Sequence, residues 1–398
     1  MHHIMKRSGE GRSTLNGSVL LTRVATLVLI GGLIAGAFAQ TTAIVGHYSG
    51  NGLSVVDTAT NTVTGTIPAS GSVNNFCVSP DLAVLYAVSP GYGVDVIDFV
   101  THAVVKTIPI SGSLWGCRIT PDGRKVFVTR GNPPTFFVID TATNEITDEV
   151  PTVSNAVYLD IAPDGGKVYA STAMWNQDTL SIIDVETLDV QVIHIGANAA
   201  EMKVSPDGAY VYISNEFDVN TVTILETTNN TVVKTLPVGN GPRGITFSPD
   251  GAWAYVITAY DGAMTVINTS TQTVDHTVSL NGGFPFNIQI TDDGQTGYIT
   301  KYSTKTVAVL DLATGTITQE IPLSSSPYDI LLCNAPAAPC VVGDLNGDEA
   351  VNLADLAQLL GHYGETESFY RHGDIDADGD VDISDLAALL GSYGETCD

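Results

Sequence analysis

The sequence predicts an all-β fold for most of the chain and a small all-α domain at its C-terminus. Three observations predict this division: a turn motif that recurs at nearly constant spacing, a strand-turn-strand pattern between its copies, and an abrupt rise in acidic residues near the end. The 39 glycines and the many Thr and Val residues are typical of proteins rich in strands and turns. A chain of 398 residues also exceeds the usual length of one domain.

The first 39 residues have the pattern of a secretory signal peptide. Four basic residues precede an apolar run at 24–38, which ends in an Ala-Phe-Ala site at 37–39. We therefore expect cleavage after Ala39, no membrane span in the mature chain, and a secreted, periplasmic or cell-surface location. The alternative is an uncleaved membrane anchor, although the run is shorter than the roughly 20 residues of a typical span.

The turn motif reads Ser/Thr/Ala-Pro-Asp-Gly in its clearest copies. Proline presets the backbone for the second turn position, Asp bonds its own backbone and Gly supplies a positive φ, so each copy predicts a tight hairpin. The copies follow one another at steps of 41 to 43 residues. Their aspartates are Asp81, Asp122, Asp164, Asp207, Asp250 and Asp293.

A second motif, of the type Val-Ile-Asp-Thr-Ala-Thr-Asn, recurs between these turns. It predicts a β-branched strand, a polar turn and another β-branched strand. Seven copies occur, at 55–63, 96–104, 138–146, 182–190, 223–232, 266–274 and 309–317.

One repeat can be read as four strands, which in the clearest copy lie at 244–247, 252–258, 263–268 and 271–278. Four short antiparallel strands per repeat of about 40–45 residues are typical of a β-propeller blade. Residues 43–68 supply three strands of a further blade, and 328–332 supply its fourth. Joining the two chain ends in one blade removes exposed sheet edges. The sequence therefore predicts a seven-bladed β-propeller over residues 40–332.

These repeats resemble the YVTN-type β-propeller repeats of surface-layer-like proteins. The resemblance covers about 290 residues. It rests on the pairing of Ser-Pro-Asp-Gly with Val-Ile-Asp-Thr-Ala-Thr, and the segment at 212–215, Tyr-Ile-Ser-Asn, comes closest to the Tyr-Val-Thr-Asn core. It implies a binding or surface-display module.

Composition changes after a Pro/Ala linker at 333–342. Residues 341–398 hold 14 acidic residues and one basic residue, Arg371. The segment 343–365 repeats at 373–395 with an offset of 30, so we place a duplicated domain at 343–398.

Each copy carries side-chain oxygens at positions 1, 3, 5, 9 and 12 of a loop, with a backbone carbonyl at position 7. Calcium takes six to eight oxygen ligands, and this is the EF-hand loop spacing, so the sequence predicts two calcium ions. The first set is Asp344, Asn346, Asp348, Ala350, Asn352 and Asp355. The second set is Asp374, Asp376, Asp378, Asp380, Asp382 and Asp385. A leucine stripe after each loop predicts an EF-hand-like helix. The alternative is a pair of acidic turns that bind nothing.

A loop followed by a helix and duplicated at a C-terminus resembles a type I dockerin. The resemblance implies folding on calcium and attachment to a cohesin-like scaffold or cell-surface protein. Loop positions 10 and 11 are Leu353-Ala354 and Ile383-Ser384, whereas cellulosomal dockerins often carry a Ser/Thr pair there. Two alternatives therefore stay open: a partner other than a cohesin, or a tail that serves only as a calcium clamp.

The five cysteines leave at least one without a partner in the chain. Cys77 and Cys117 occupy nearly equivalent places in adjacent repeats, where they could form a bridge or be small buried residues. Cys340 and Cys397 bracket the tail, and we prefer a bridge between them to one between Cys333 and Cys340.

The sequence shows no catalytic constellation, and its histidines are scattered without metal-ligand spacing. The entry to each inner strand faces one mouth of the channel. Large aromatic residues or Arg occupy that position in four repeats, namely Trp115, Arg243, Phe286 and Tyr328. They could bind a carbohydrate or peptide, or simply plug the channel.

The function predicted from the sequence is an exported binding or surface-display propeller with a calcium-dependent docking module. The alternative is an extracellular carbohydrate-active or lactonase-like propeller enzyme. A formal net charge of −27 argues against nucleic acid and anionic membrane surfaces as partners, because both repel such a chain. Adaptation to salt water would explain the same charge.

Overall fold

The computed structural model describes residues 41–50, 52–152, 155–171, 178–196, 198–216, 219–334, 341–348, 350–366 and 368–396. The predicted signal peptide and most of the predicted linker lie outside these residues. Among the helices of the described residues, none is long and apolar enough to span a bilayer.

Twenty-eight strands in the described residues form seven four-stranded antiparallel sheets. The first six sheets use consecutive strands. The first is β4 (Asn75–Val78), β5 (Val84–Ser89), β6 (Gly93–Asp98) and β7 (Val104–Ile108). The second is β8 (Leu114–Ile119), β9 (Lys125–Arg130), β10 (Thr135–Asp140) and β11 (Glu145–Pro151). The third is β12 (Tyr158–Ile161), β13 (Lys167–Ser171), β14 (Thr179–Asp184) and β15 (Val190–His194).

The next three sheets repeat the same order. They are β16 (Met202–Val204), β17 (Tyr210–Asn215), β18 (Thr221–Glu226) and β19 (Thr231–Pro237); β20 (Pro242–Phe247), β21 (Trp253–Thr258), β22 (Ala263–Asn268) and β23 (Thr273–Ser279); and β24 (Pro285–Ile290), β25 (Thr296–Lys301), β26 (Thr306–Asp311) and β27 (Thr316–Pro322).

The seventh sheet joins the two ends of the strand-forming region. Its order is β28 (Pro327–Asn334), β1 (Thr41–His47), β2 (Leu53–Asp57) and β3 (Thr62–Ile67). Each innermost strand contacts the innermost strand of the next sheet, and β28 contacts β4, so the ring closes. The predicted seven-bladed propeller, with its seventh blade shared between chain ends, is confirmed.

The recurring turns have the predicted hydrogen bonding. Ser248 Oγ donates to Asp250 Oδ1 at 2.6 Å, and the same carboxylate oxygen accepts from the backbone of Ala252 at 3.0 Å. Gly251 between them has φ +69°, a conformation that favours glycine. The turn is therefore fixed by side-chain and backbone hydrogen bonds, and the side-chain bond recurs in four other blades.

The core lies between neighbouring blades. Phe127 and Phe136 of the second blade pack with Leu159 and Val168 of the third, and all four side chains are buried. Because both faces of a blade pack on neighbours, the two middle strands are apolar on both faces and the outermost strand is mostly exposed.

The C-terminal part contains two short α-helices, α1 (Leu353–Gly361) and α2 (Ile383–Gly391), and a 3₁₀ turn at Tyr370–His372. Each α-helix begins with a capping box, formed by Asn352 with Asp355 and by Asp382 with Asp385. Leu359 and Leu389 are buried in the small core of this tail. The predicted pair of helices is confirmed, while calcium binding stays a prediction.

Candidate functional site

The innermost strands bring a network of polar side chains together in the propeller channel. Asn287 donates through Nδ2 to Asp329 Oδ1 at 2.7 Å, and Asn75 donates to the other oxygen of that carboxylate at 2.5 Å. Glu201 Oε1 accepts from Asn287 Nδ2 at 3.3 Å. The network therefore connects residues from four of the seven blades.

A second part of the network contains the cations. Arg118 Nε lies 3.4 Å from Asp160 Oδ1, and Lys203 Nζ lies 3.2 Å from the same oxygen. Arg118 also donates to Asn75 Oδ1 at 3.2 Å, which connects the two parts. Positive and negative groups of adjacent blades thus meet inside the ring.

Burial perturbs the carboxyl groups of this network. Desolvation, together with the neighbouring Asp329, raises the pKa of Glu201 to about 8. Desolvation likewise raises the pKa of Asp329, although Arg118 opposes the rise. A carboxyl group that exchanges its proton near neutral pH can act as a general acid or base.

A cavity of about 10 Å³ lies among these groups, which is about the space of one water molecule. Its lining includes Arg118, Glu201 and Asp329 together with the aromatic rings of Phe286 and Tyr328. Tyr158 also lines it, and the hydroxyls of Tyr158 and Tyr328 lie 2.9 Å apart.

Aromatic side chains cluster around Phe286 and Tyr328, whose ring centroids are 4.2 Å apart. The Tyr328 ring also stacks on Tyr48 at 5.8 Å, and Phe284 contacts Phe286 at 6.4 Å. Tyr302 touches both Tyr48 and Phe284. We call Tyr48, Phe284, Phe286, Tyr302 and Tyr328 the aromatic mouth.

Arg243 places a cation on this aromatic surface. Its guanidinium carbon lies 4.4 Å from the centroid of the Phe286 ring. A nitrogen of the same guanidinium group forms an ion pair with the buried Glu216. Tyr260 donates to the same Glu216 oxygen at 3.2 Å. The charged pair therefore lies against the buried side of the aromatic mouth, whose exposed ring is Tyr48.

Three of the four mouth residues expected from the sequence come together: Arg243, Phe286 and Tyr328. Trp115 differs, because its indole packs against the backbone of Gly131 in its own blade. Among the described residues it makes no ring contact with the other three. Its half-buried side chain thus belongs to the second blade and not to the aromatic mouth.

The polar network was missed by the sequence reasoning, although a signal for it was present. Side chains alternate along a strand, so the residues one and three places after the aligned entry positions face the channel. Eight of the fourteen such places hold residues of the network or its lining, namely Asn75, Arg118, Tyr158, Asp160, Glu201, Lys203, Asn287 and Asp329.

In the tail, the first acidic loop brings carboxylate oxygens of Asp344, Asp348 and Asp355 within 4.8 Å of one another. Asn346 and Asn352 lie in the same loop, and their amides donate to Asp348 at 3.2 Å and 3.0 Å. The Ala350 carbonyl accepts from Asn352 at 3.4 Å. All six predicted ligands of this loop are therefore neighbours.

The carboxylate oxygens of the second loop form two groups, and the oxygens of each group lie within 4.8 Å of one another. The groups are Asp374 with Asp376 and Asp378, and Asp380 with Asp382 and Asp385. One buried oxygen each of Asp374 and Asp380 has no hydrogen-bond partner. Desolvation and neighbouring carboxylates raise the pKa of Asp374 to about 6. A cation would satisfy these oxygens and relieve the repulsion, so the donor set fits calcium.

The two helices of the tail leave a duplicated apolar surface exposed. Leu360 and Leu390, the last leucines of the two stripes, were expected to pack between the helices but are 54% and 52% exposed. Equivalent pairs of exposed residues accompany them, namely Leu353 with Ile383 and Tyr363 with Tyr393. We call these six residues the twin apolar surface.

The cysteines of the first two blades meet as the repeat alignment suggested. The sulfur atoms of Cys77 and Cys117 are 3.1 Å apart in β4 and β8, and both thiols are buried and free. Cys333 lies at the end of β28. Cys340 and Cys397 lie outside the described residues, so the predicted tail bridge stays a prediction.

Part of the propeller is similar to a known protein family. Residues 184–275 match the family model described as "Lactonase, 7-bladed beta-propeller". No curated protein gives a significant sequence match. The match covers about two of the seven blades.

Solved structures show the same fold. Hydrazine synthase of Kuenenia stuttgartiensis has 22% identity and a TM-score of 0.59, covering 66% of this chain and 90% of its own. A Lactobacillus plantarum protein has 18% identity and a TM-score of 0.65, with coverages of 74% and 99%. A candidate 6-phosphogluconolactonase from Bacteroides uniformis has 16% identity and a TM-score of 0.62, with coverages of 74% and 100%. At these identities the likeness establishes the fold alone.

Proposed function

We propose that the propeller binds and hydrolyses a sugar lactone at the aromatic end of its channel. The observation that carries this proposal is the water-sized cavity in which Glu201, with a pKa raised to about 8, lies beside Asp329 and Arg118. The lactonase-type family match supports the same reaction class. This is the alternative function that the sequence left open.

The aromatic mouth suits a sugar-derived ring. A sugar ring can stack on Tyr48, which is 48% exposed and stacks on Tyr328, while hydroxyl groups of the ligand can bond to Arg243. Tyr328 lines the cavity, so a ring held on Tyr48 lies one aromatic side chain away from the carboxyl groups. Entry of the lactone carbonyl requires the Tyr158–Tyr328 hydroxyl pair to separate, because the cavity holds about one water.

The proposed reaction needs no added cofactor. Water attacks the lactone carbonyl carbon, ionised Glu201 takes a proton from that water, and the ring C–O bond then breaks. The proton passes from Glu201 to the leaving alkoxide, so the product is the open hydroxy acid. Arg118 stabilises the negative charge that develops on the carbonyl oxygen.

Hydrolysis of a panel of aldonolactones, followed by a pH indicator and corrected for spontaneous opening, tests the proposal. Glu201→Gln should lower kcat by roughly 10²-fold or more with little change in KM, since it removes the general base. Glu186→Gln, an exposed residue of an outer turn, is the matched control. Rates equal to the spontaneous reaction in the intact protein would overturn the hydrolysis, and saturable sugar binding without turnover would reduce the propeller to a binding module.

We further propose that the tail binds two calcium ions through the two acidic loops and serves as a dockerin-like attachment module. The partnerless buried oxygens of Asp374 and Asp380 support calcium, which supplies positive charge between the carboxylates. The twin apolar surface supports docking, because exposed apolar patches are typical of interaction sites. A cohesin-like scaffold or cell-surface protein is the expected partner.

Affinity capture from the envelope of the source organism tests the docking. Capture of a cohesin-like protein should be reversed by EDTA and lost in Leu360→Asp combined with Leu390→Asp. The control pair Val63→Asp and Val274→Asp alters exposed propeller residues instead. Calcium binding without such capture would leave the tail as a stabilising clamp and reject the docking role.

A further inference from the structure

Two histidines that are separated in the sequence meet in the structure at the junction of tail and propeller. His362 follows α1, and His372 ends the 3₁₀ turn. Their imidazole rings stack with centroids 4.4 Å apart and planes inclined by 8°. Two of the six histidines that follow residue 40 thus lie in direct contact.

Carboxylates from both parts of the chain complete this cluster. His362 Nδ1 lies 2.9 Å from Glu365 Oε2 in the tail, and His372 Nε2 lies 3.4 Å from Asp81 Oδ2 in the first blade. One ligand atom from each of His362, Glu365 and His372 lies within 4.8 Å of the others. Nitrogen from two imidazoles with carboxylate oxygen is a donor set of zinc-class metals, whereas calcium takes oxygen.

The cluster is an open arrangement that must close around an ion. Metal–ligand bonds of about 2.0–2.2 Å place two ligands of one tetrahedral ion about 3.4 Å apart. Binding therefore requires the ligand atoms to close from within 4.8 Å and the two parallel imidazole rings to rotate, because each nitrogen lone pair lies in the plane of its ring. His362, Glu365, His372 and Asp81 also line one groove of about 480 Å³ that is open to solvent, so an ion and its waters can enter.

The internal duplication of the tail shows that the histidines are not part of its calcium-loop pattern. The residue equivalent to His362 in the second copy is Ser392, and the residue equivalent to His372 before the first loop is Val342. The two copies have the same residue at the start and at the end of each loop but different residues at the positions of both histidines. His362 and His372, which the repeat does not explain, line the same groove.

We propose that His362, His372 and Glu365, joined by Asp81 of the first blade, bind one divalent transition-metal ion of the zinc class that clamps the tail to the propeller. The ion holds two imidazole nitrogens and carboxylate oxygens, and water fills the remaining positions. Because Asp81 belongs to the propeller and the other ligands belong to the tail, binding fixes one part against the other. This site is separate from the two calcium loops and goes beyond the proposed function.

Titration of the full chain with Co²⁺ in excess calcium tests the site, because cobalt coordinated by nitrogen absorbs visible light. One equivalent should bind, and Zn²⁺ should displace it. His362→Ser and His372→Val, which install the residues of the other copy, should each weaken binding at least 10-fold. Asp81→Asn should weaken binding less, and His194→Ser, an exposed histidine of the third blade, should leave it unchanged.

A second measurement on the unaltered protein removes the dependence on variants. Zn²⁺ should protect His362 and His372 from modification by diethyl pyrocarbonate, as read by mass spectrometry, while His194 stays reactive. The proposal is overturned if cobalt fails to bind in excess calcium, if Zn²⁺ leaves both histidines reactive, or if both variants that fold and retain calcium bind cobalt like the unaltered chain.

Discussion

The propeller and the acidic tail solve the same problem, the burial of carboxylates, by different means. In the propeller channel, Asp160 is paired with Arg118 and Lys203, and Asp329 accepts two amide hydrogen bonds. In the second loop of the tail, Asp374 and Asp380 each keep one buried oxygen with no partner. The propeller therefore supplies compensating groups for these two carboxylates, whereas in our proposal calcium from solution compensates those of the tail.

The two parts should therefore be stabilised by different forces. The propeller buries apolar side chains between seven blades, a contribution that does not depend on metal. The tail has a small core around Leu359 and Leu389 and a large excess of negative charge. Calcium binding free energy should therefore be part of the folding free energy of the tail but not of the propeller.

The largest expected effect is that of a cavity in the propeller core. Phe127→Ala removes a fully buried ring between the second and third blades and should lower the free energy of unfolding by about 3–5 kcal/mol. Urea unfolding in calcium measures it. Calcium affinity should not change, and Val274→Ala on an outer strand is the control. A loss of calcium binding in Phe127→Ala would contradict the separation of the two parts.

Glu201 should give the propeller a distinct pH dependence. Its pKa is about 8 in the folded chain and 4.5 as a model value, so between these limits the folded state holds a proton that the unfolded state releases. This contribution is fully present below the unfolded pKa and is lost as pH rises through 8. Between pH 6 and 9 the unaltered chain should lose roughly 2–3 kcal/mol relative to Glu201→Gln.

Urea unfolding of both chains at the two pH values, in saturating calcium, checks that prediction. Glu186→Gln controls for a change of surface charge. Equal pH dependence in the unaltered chain and Glu201→Gln would show that the buried carboxyl keeps an ordinary pKa.

A buried hydrogen bond from one carboxylate of the first blade contributes to the junction between the two parts. Asp98 Oδ2 accepts from the buried backbone of Tyr370 at 2.9 Å, while Oδ1 caps its own turn. Asp98→Asn keeps the turn but turns an amide donor toward the Tyr370 N–H. We expect the free energy of undocking the tail to fall by about 1.5–3 kcal/mol. Limited proteolysis should then release the tail roughly 10- to 100-fold faster, because cleavage follows the population of the undocked state.

Asp140→Asn is the matched control for this junction. Asp140 forms the same turn in the second blade, where Oδ1 accepts from Ala142 and Thr143, and no tail residue is bonded to it among the described residues. Equal release rates in the two variants would show that the Asp98–Tyr370 bond does not hold the tail.

The smallest expected effect is that of a single charge in a calcium loop. Asp374→Asn keeps the shape of the side chain and one of its oxygens but removes the charge. We expect calcium affinity of the second loop to fall about 10-fold, or about 1.4 kcal/mol. Calorimetric titration measures it, with the exposed propeller residue Asp292→Asn as control. An unchanged second site would exclude Asp374 as a ligand.

The sequence predicted the blades well because their information is local and repeated. The turn motif around Asp250 recurs in six of the seven blades, and a strand equivalent to 253–258 recurs in all seven. A copy that is degenerate can therefore be read from the others. The closing blade could be predicted because the first three strands of the chain, β1 to β3, had no innermost strand. The last strand, β28, had no outer strands, so the four complete one another.

The channel and the histidine cluster were missed because their information is not local. Glu201, Asp329 and Arg118 come from three blades, and their pKa shifts arise from burial, which the sequence does not show. His362 and His372 are separated by a loop and a 3₁₀ turn and receive Asp81 from a strand turn nearly 300 residues earlier in the chain. Only the packing of tail on propeller brings them together.

Hydrogen exchange of the full chain with calcium and with EDTA tests the division between the two parts most directly. Residues 341–396 should lose nearly all amide protection in EDTA, while the strands of 41–334, apart from the turns that contact the tail, should keep theirs. The opposite result, a tail equally protected in both conditions, would show that its acidic loops fold without a metal and would contradict the account.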